Sequence, residues 1–214
     1  MNETFIGAGL TLIINENNNY SILMAKSNSK KEYKKNVWLF PGGRRNNTEL
    51  PYQTAYREFI EEIFNVVVSD YIVNEIIDNI SKDETLYPIY TRISENSFTF
   101  IQSVNAITNF VNVLNSHNIK SDVFPFGYDN LYNIDKKINI YQFCFQRRYI
   151  NELSEYQKNE LVFITMIPLK NLLHSIYITQ KYKYIYHYHG ENLKLLSPDS
   201  IQHIEQFIKI NNNS

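Results

Sequence analysis

The most constraining feature of the sequence is the segment from Pro51 to Phe64, PYQTAYREFIEEIF, in which apolar residues return at helical spacing. This spacing places the apolar side chains on one face of a helix, where they can pack against a core. A proline suits the first helical turn, where its missing N–H would have no partner anyway. The segment therefore predicts an amphipathic helix whose buried face carries Tyr52, Ala55, Tyr56, Phe59 and Ile63.

The polar face of the predicted helix carries three carboxylates. Glu58, Glu61 and Glu62 stand at i, i+3 and i+4, so they share one face, and Arg57 lies beside them. Crowded carboxylates either raise a pKa or bind a cation, and an all-oxygen set suits a hard ion such as Mg²⁺ or Mn²⁺. The alternative interpretation is an acidic face that is simply solvated.

A short loop rich in glycine and arginine precedes the helix. Gly43 allows a ligand to approach the backbone closely, and Arg44 and Arg45 suit phosphate oxygens. The upstream loop 26–36 is rich in lysine, which favours either steering of a polyphosphate or a solvated surface. We predict that Gly43, Arg44 and Arg45 bind substrate.

The wider spacing around the helix resembles the Nudix box, G-x5-E-x7-R-E-U-x-E-E-x-G-U, where U is a bulky aliphatic residue. Gly43 is followed by five residues and Glu49, and seven more residues lead to the run that begins at Arg57. The final glycine and aliphatic residue of the box are Phe64 and Asn65 here. We interpret this departure as a shifted helix end, with Asn65 in the left-handed conformation that glycine normally adopts. A second departure, Phe59 for an aliphatic residue, is a change in the core.

Resemblance to this family implies a metal site. Glu58, Glu61 and Glu62 would bind the divalent ions, Mg²⁺ or Mn²⁺, and the carbonyl oxygen of Gly42 would add a ligand. A metal-bound water would then attack a phosphorus atom of a pyrophosphate link.

The resemblance also implies an ion pair and a general base. Glu49 and Arg57 would pair and hold the loop against the helix. The base differs among members of the family, so Glu61, Glu62 or a glutamate from a later loop could serve. Our candidate in a later loop is Glu160, which precedes a predicted strand; the alternative is a solvated strand start.

The remaining pattern predicts an α+β or α/β fold with a mixed sheet and packed helices, which fits the family's α/β/α sandwich. We expect a single domain over residues 1–214 with an insertion at about 80–137. The predicted strands are 4–14, 20–25, 37–40, 138–145 and 161–167, with the first two forming a hairpin. The predicted helices, besides 51–64, are one that includes Val104 to Leu114 and one that closes the chain near 197–208.

Composition restricts the cellular context and the partners. The net charge of −1 gives no overall field that would attract nucleic acid or an anionic membrane. The lone cysteine, Cys144, excludes an intrachain disulfide, and we expect it to be a small buried residue. The apolar run 7–14 is too short to cross a bilayer and lacks a preceding basic segment. We therefore expect a cytoplasmic protein without a membrane partner.

The resemblance therefore implies a metal-dependent Nudix hydrolase that cleaves a pyrophosphate bond in a nucleoside diphosphate linked to another moiety. An RNA cap or 5′-end pyrophosphohydrolase is an alternative, because residues 181–189 alternate tyrosines with Lys, Ile and His in a pattern that suits base stacking. The alternative is that residues 181–189 form an edge strand whose tyrosines cover the core. A non-catalytic Nudix-fold module that binds nucleotide or protein is a further alternative, and the insertion leaves a homodimer open.

Overall fold

The structure is a computed structural model that describes residues 5–28, 35–46, 48–82, 89–94, 97–153, 161–173, 186–188, 191–193, 204–205 and 208. Its main element is a seven-stranded mixed sheet with helices on it. The strands are β1 (Gly7–Glu16), β2 (Asn19–Asn28), β3 (Lys35–Leu39), β4 (Gly42–Arg44), β5 (Ile89–Ser94), β6 (Ser97–Ser103) and β7 (Leu161–Pro168). The helices are α1 (Pro51–Phe64), α2 (Asp70–Ser81), α3 (Ala106–Ser116) and α4 (Ile140–Leu153).

The predicted hairpin of the first two strands is confirmed. β1 and β2 pair from Ile13 opposite Ile22 to Glu16 opposite Asn19. Asn17 and Asn18 form the turn at positive φ, 53° and 64°, a conformation that asparagine tolerates better than most residues.

The hairpin opens away from its turn, and other strands fill the space. β4 pairs with the start of β1, and β3 pairs with the end of β2. β7 lies antiparallel along β2, while β6 runs parallel to β1 and pairs with β5 at the sheet edge. The opening therefore brings β4, with its two glycines, beside the centre of the sheet and next to α1.

Both faces of the sheet are covered, because alternate residues of each strand point to opposite faces. On one face, Leu10 and Leu12 of β1 belong to a core that includes α1, α2 and α3. On the other face, Ile22 and Met24 of β2 pack with residues 169–172 and with Ile204 and Ile208. This arrangement is the expected α/β/α sandwich with a mixed sheet.

One predicted strand is wrong: the segment 138–145 lies mostly in helix α4. The alternation of Ile138 and Ile140 favours a strand, but the buried side chains then continue at helical spacing. The Asn139 side chain accepts hydrogen bonds from the N–H groups of Tyr141 and Gln142, at 3.0 Å each, and so starts the helix. Within residues 140–147, the part of α4 whose side chains the structure describes, the buried positions are 140, 143, 144 and 147.

Some of the other predicted helices and strands lie within the described residues, and others lie largely outside them. Helix 51–64 and strand 161–167 are confirmed, and α3 confirms the helix expected around 104–114. Of strand 181–189 only 186–188 are described, as β8 (Tyr186–Tyr188) paired with β9 (Glu191–Leu193). Most of the closing helix and loop residues 29–34 lie outside the described residues.

The insertion at 80–137 stays a prediction, and β5 and β6 lie within those bounds as part of the central sheet. Within the part of the chain that the structure describes, none of the helices has the length and hydrophobicity needed to cross a bilayer.

Candidate active site

Helix α1 presents the three glutamates and is fixed at both ends. Pro51 opens the first turn, and the Gln53 side chain accepts a hydrogen bond from the N–H of Leu50 at 2.9 Å. At the other end Asn65 has φ 54° and ψ 47°, so it adopts the left-handed conformation that the sequence predicted. The buried face of α1 packs on β1 and, through Tyr56 and Phe59, on Phe110 of α3. Glu58, Glu61 and Glu62 lie outside this apolar contact, on the face toward β4.

Glu49 and Arg57 form a buried ion pair. Arg57 Nε lies 2.5 Å from Glu49 Oε1, and Arg57 Nη2 lies 3.1 Å from Oε2. The Asn46 N–H and the Thr54 hydroxyl also donate to Glu49 Oε2, at 2.9 and 2.7 Å. Burial alone would raise the pKa of Glu49, but the Arg57 guanidinium and these donors lower it to about 2. Glu49 is therefore ionised over the whole physiological range.

Arg57 also joins the loop to the acidic face. Its Nη1 donates to Glu58 Oε1 at 2.7 Å and to Glu61 Oε2 at 2.9 Å, and its Nη2 donates to the carbonyl oxygen of Arg44 at 2.8 Å. Burial lowers the pKa of a guanidinium, but hydrogen bonds and charges of Glu49 and Glu58 outweigh that effect and raise it. One cation thus holds three carboxylates and the end of β4.

The carboxyl group of Glu58 lies deeper in the protein than that of Glu61. Its side chain is 15% exposed, against 29% for Glu61. Burial raises the pKa of Glu58, and the neighbouring charge of Arg57 only partly offsets this effect.

The glycines of β4 allow the loop to lie directly on the acidic face. The N–H of Gly42 donates to Glu62 Oε2 at 2.9 Å. A Cβ atom at Gly43 would collide with the carboxylate of Glu58. A Cβ atom at Gly42 would lie only 2.5 Å from Gly9 Cα on β1. Both positions therefore need glycine for a close approach, one to a side chain and the other to a backbone.

The two arginines predicted to bind phosphate take different positions. Arg44 is exposed at the end of β4. The guanidinium of Arg45 lies over the ring of Phe5, 4.7 Å from its centroid. The backbone N–H of Arg45 donates to the carbonyl oxygen of Ile6 at 3.0 Å. Glu160, the candidate base from a later loop, lies outside the described residues.

The acidic face offers only oxygen ligands for a divalent ion. The described residues hold no ready cluster of three acidic side chains around one point, because Glu58 and Glu61 turn to Arg57 and Glu62 turns to Gly42. The chemistry of the set nevertheless fits Mg²⁺ or Mn²⁺, since it consists of carboxylates on one helical face.

The structure adds site-supporting residues that the sequence did not indicate. Arg147 of α4 donates to the carbonyl oxygens of Glu62 and Ile63, and Ser121 donates to the carbonyl oxygen of Phe64. These groups fix the last turn of α1 from segments far along the chain. The weak signal in the sequence is that Arg147 continues the helical spacing of the apolar residues 140, 143 and 144, which would place it on the buried face of a helix.

Comparisons with solved structures give several Nudix proteins at low similarity. A mutT/nudix family protein from Listeria innocua is 13% identical, with 98% of this chain and 96% of that chain covered and a TM-score of 0.43. The NUDIX domain of NrtR from Shewanella oneidensis, complexed with ADP ribose, is 12% identical over 97% and 90%, with a TM-score of 0.40. An Ap4A hydrolase from C. elegans is 16% identical over 46% and 64%, with a TM-score of 0.28.

No curated protein matches the chain. The family model described as the NUDIX domain matches residues 5–111, half of the chain. The matched residues contain β1 to β6, α1 and the complete motif around it. The chain belongs to the Nudix family.

Proposed function

We propose that this chain is a metal-dependent Nudix hydrolase that cleaves a pyrophosphate bond in a nucleoside diphosphate linked to another moiety. The observation that carries the proposal is the placement of Glu58, Glu61 and Glu62 on one face of α1, where Glu58 and Glu62 lie directly against the glycines of β4 and Glu61 contacts Arg57. A solvated acidic face would not need a glycine packed on a half-buried carboxylate.

Each group has a proposed role. Glu58, Glu61 and Glu62, with the carbonyl oxygen of Gly42, would hold Mg²⁺ or Mn²⁺. The bound ions would neutralise phosphate oxygens and lower the pKa of a water that attacks phosphorus. Gly43, Arg44 and Arg45 would bind the phosphates of the substrate. Glu61, Glu62 and Glu160 remain the candidates for the base.

Arg57 would have two functions in this proposal. Its pair with Glu49 holds the loop against α1, and its Nη1 keeps Glu58 and Glu61 neutralised while the ions are absent. Cation binding would therefore compete with two hydrogen bonds from Arg57, which predicts that Glu58 and Glu61 rotate when the ions bind. The ion pair with Glu49 would persist, since Glu49 accepts from Nε and Nη2 of Arg57 and not from the Nη1 that contacts Glu58 and Glu61.

The test is turnover of a panel of pyrophosphate compounds with Mg²⁺ or Mn²⁺. The panel contains nucleoside triphosphates, ADP-ribose, dinucleoside polyphosphates, diphosphoinositol phosphates and capped RNA. We expect metal-dependent release of phosphate products from at least one compound, reduced by on the order of 10²-fold or more in Glu61→Gln. Turnover of capped RNA alone would favour the RNA alternative.

Glu75→Gln is the matched control. Glu75 lies on α2 with a side chain 31% exposed, close to the 29% of Glu61, and it pairs with His117 away from the acidic face. This variant should keep full activity. If no compound turns over and both variants bind nucleotide as the native chain does, the protein is a binding module and the hydrolase proposal is wrong.

A further inference from the structure

Arg147 is a buried cation outside the matched Nudix region. It lies on α4 with 0% of its surface exposed, and the family match ends at residue 111. Burying a guanidinium is costly unless other groups compensate its charge and its hydrogen bonds. Among the described residues no carboxylate pairs with it, and its Nη1 has no hydrogen-bond partner. The nearby charge of Glu62 offsets part of this cost, and backbone carbonyl groups supply the hydrogen bonds.

These carbonyl groups belong to the last turn of α1. Arg147 Nε donates to the carbonyl oxygen of Ile63 at 2.5 Å, and Nη2 donates to that of Glu62 at 2.9 Å. The last carbonyls of a helix have no partner within the helix and carry its partial negative charge. The Arg147 guanidinium therefore donates hydrogen bonds to these unpaired carbonyl groups and places a positive charge beside the partial negative charge of the helix end.

The contact fixes Glu62 from two sides. Its carbonyl oxygen accepts from Arg147, and its side-chain Oε2 accepts from the N–H of Gly42. The residue is thus held between α4 and β4. A planar guanidinium with two engaged N–H groups also sets the rotation of the last turn, because both donors lie in one rigid fork.

We propose that Arg147 is a positioning residue that fixes the last turn of α1 and so orients Glu62 for binding of the divalent ion. The proposal rests on the proposed function, since it assigns Arg147 to the same metal site. It implies that the second half of the chain is needed to hold the acidic helix in its binding arrangement.

The experiment measures Mn²⁺ binding by calorimetry and by electron paramagnetic resonance, with Mn²⁺ alone as the probe. Arg147→Met removes both donors, and Arg147→Lys keeps the charge but not the fork. We expect the Kd for Mn²⁺ to rise about 10- to 100-fold in Arg147→Met, as for other groups that orient metal ligands, and to recover in part in Arg147→Lys. With an active substrate, kcat should fall while KM changes little.

Cys144→Ala is the control, because Cys144 is buried on the same helix and makes none of these hydrogen bonds. It should leave the Kd unchanged even if it lowers stability. Circular dichroism identifies a temperature at which all the variants are folded, and the binding measurements are made at that temperature. If Arg147→Met unfolds, Arg147→Lys alone decides the question.

The outcomes separate the two proposals. If the native chain neither binds Mn²⁺ nor turns over any compound, the proposed function fails and this inference fails with it. If the native chain binds Mn²⁺ and folded Arg147 variants bind it equally well, only the positioning role of Arg147 is overturned. A Kd that rises in the Arg147 variants and not in Cys144→Ala supports the inference.

Discussion

Replacing Phe64 by alanine should be among the most destabilising single changes in this protein. Phe64 has 0% of its surface exposed and stands where the Nudix box has a glycine. Its ring lies 6.4 Å from Phe110, 5.8 Å from Phe124, 6.2 Å from Tyr128 and 5.6 Å from Phe143, centroid to centroid. The side chain thus joins α1 to α3, to the loop after it and to α4.

The magnitude follows from burial and from this packing. Truncation of a fully buried phenylalanine to alanine costs about 3–5 kcal/mol. Aromatic pairs add about 0.5–1.5 kcal/mol beyond burial, and Phe64 has four such neighbours, so the value should lie near the upper end. Phe64→Leu keeps most of the volume and should cost about 1 kcal/mol. Phe126→Ala, at a ring that is 74% exposed, should stay within about 0.5 kcal/mol.

The assay is urea denaturation at pH 7, followed by far-UV circular dichroism and by fluorescence of Trp38, the one tryptophan of the chain. Trp38 packs in the core on the opposite face of the sheet from Phe64, so its fluorescence reports on that layer, whereas circular dichroism reports on the secondary structure of the whole chain. Coincident transitions support two-state unfolding, and midpoints with equal slopes then give the change in free energy. A loss below about 1.5 kcal/mol in Phe64→Ala would refute the packing argument.

Two further predictions concern the loop before α1. The ionised form of Glu49 is stabilised, with its pKa lowered from 4.5 to about 2, so its contribution is complete above pH 4.5 and is lost as the pH falls toward 2. Glu49→Gln should lower the free energy of unfolding by up to about 2 kcal/mol at pH 7. It should also reduce the further loss of stability as the pH falls, which denaturation curves from pH 7 to 2.5 will measure. Gly42→Ala should cost about 2 kcal/mol, since its Cβ meets the backbone of Gly9, whereas Gly43→Ala should cost less in stability and instead weaken Mn²⁺ binding by displacing Glu58. Thermal melts together with calorimetry will distinguish these two glycines.

The sequence was sufficient where the determining interactions are local. Helix α1 follows from its own apolar spacing, and the hairpin of β1 and β2 follows from two strand patterns around an asparagine turn. The acidic face needed only the helical repeat, because residues at i, i+3 and i+4 lie side by side. The left-handed Asn65 was predictable for the same reason, since backbone preference at a helix end depends on one residue.

Prediction failed where burial depends on distant segments. The strand expected at 138–145 rested on the alternation of Ile138 and Ile140. The same two residues flank the start of helix α4, so their spacing does not distinguish a strand from the beginning of a helix. Which period applies is decided by the surface that the segment packs against, here β7, and a single sequence does not contain that surface. The contact from Arg147 to the end of α1 depends on the same packing, so it was missed together with the helix.

The departure at Phe64 connects these two observations. A glycine at this position can end the helix and leaves no side chain to bury, whereas Phe64 buries a ring among residues 110–143 and lets Asn65 end the helix instead. The same turn then offers its carbonyl groups to Ser121 and Arg147, which lie on those later segments. One substitution in the motif thus accompanies an aromatic anchor and two hydrogen-bonding contacts at the end of α1. The departure at Phe64 therefore lies where the end of the acidic helix contacts later segments of this chain.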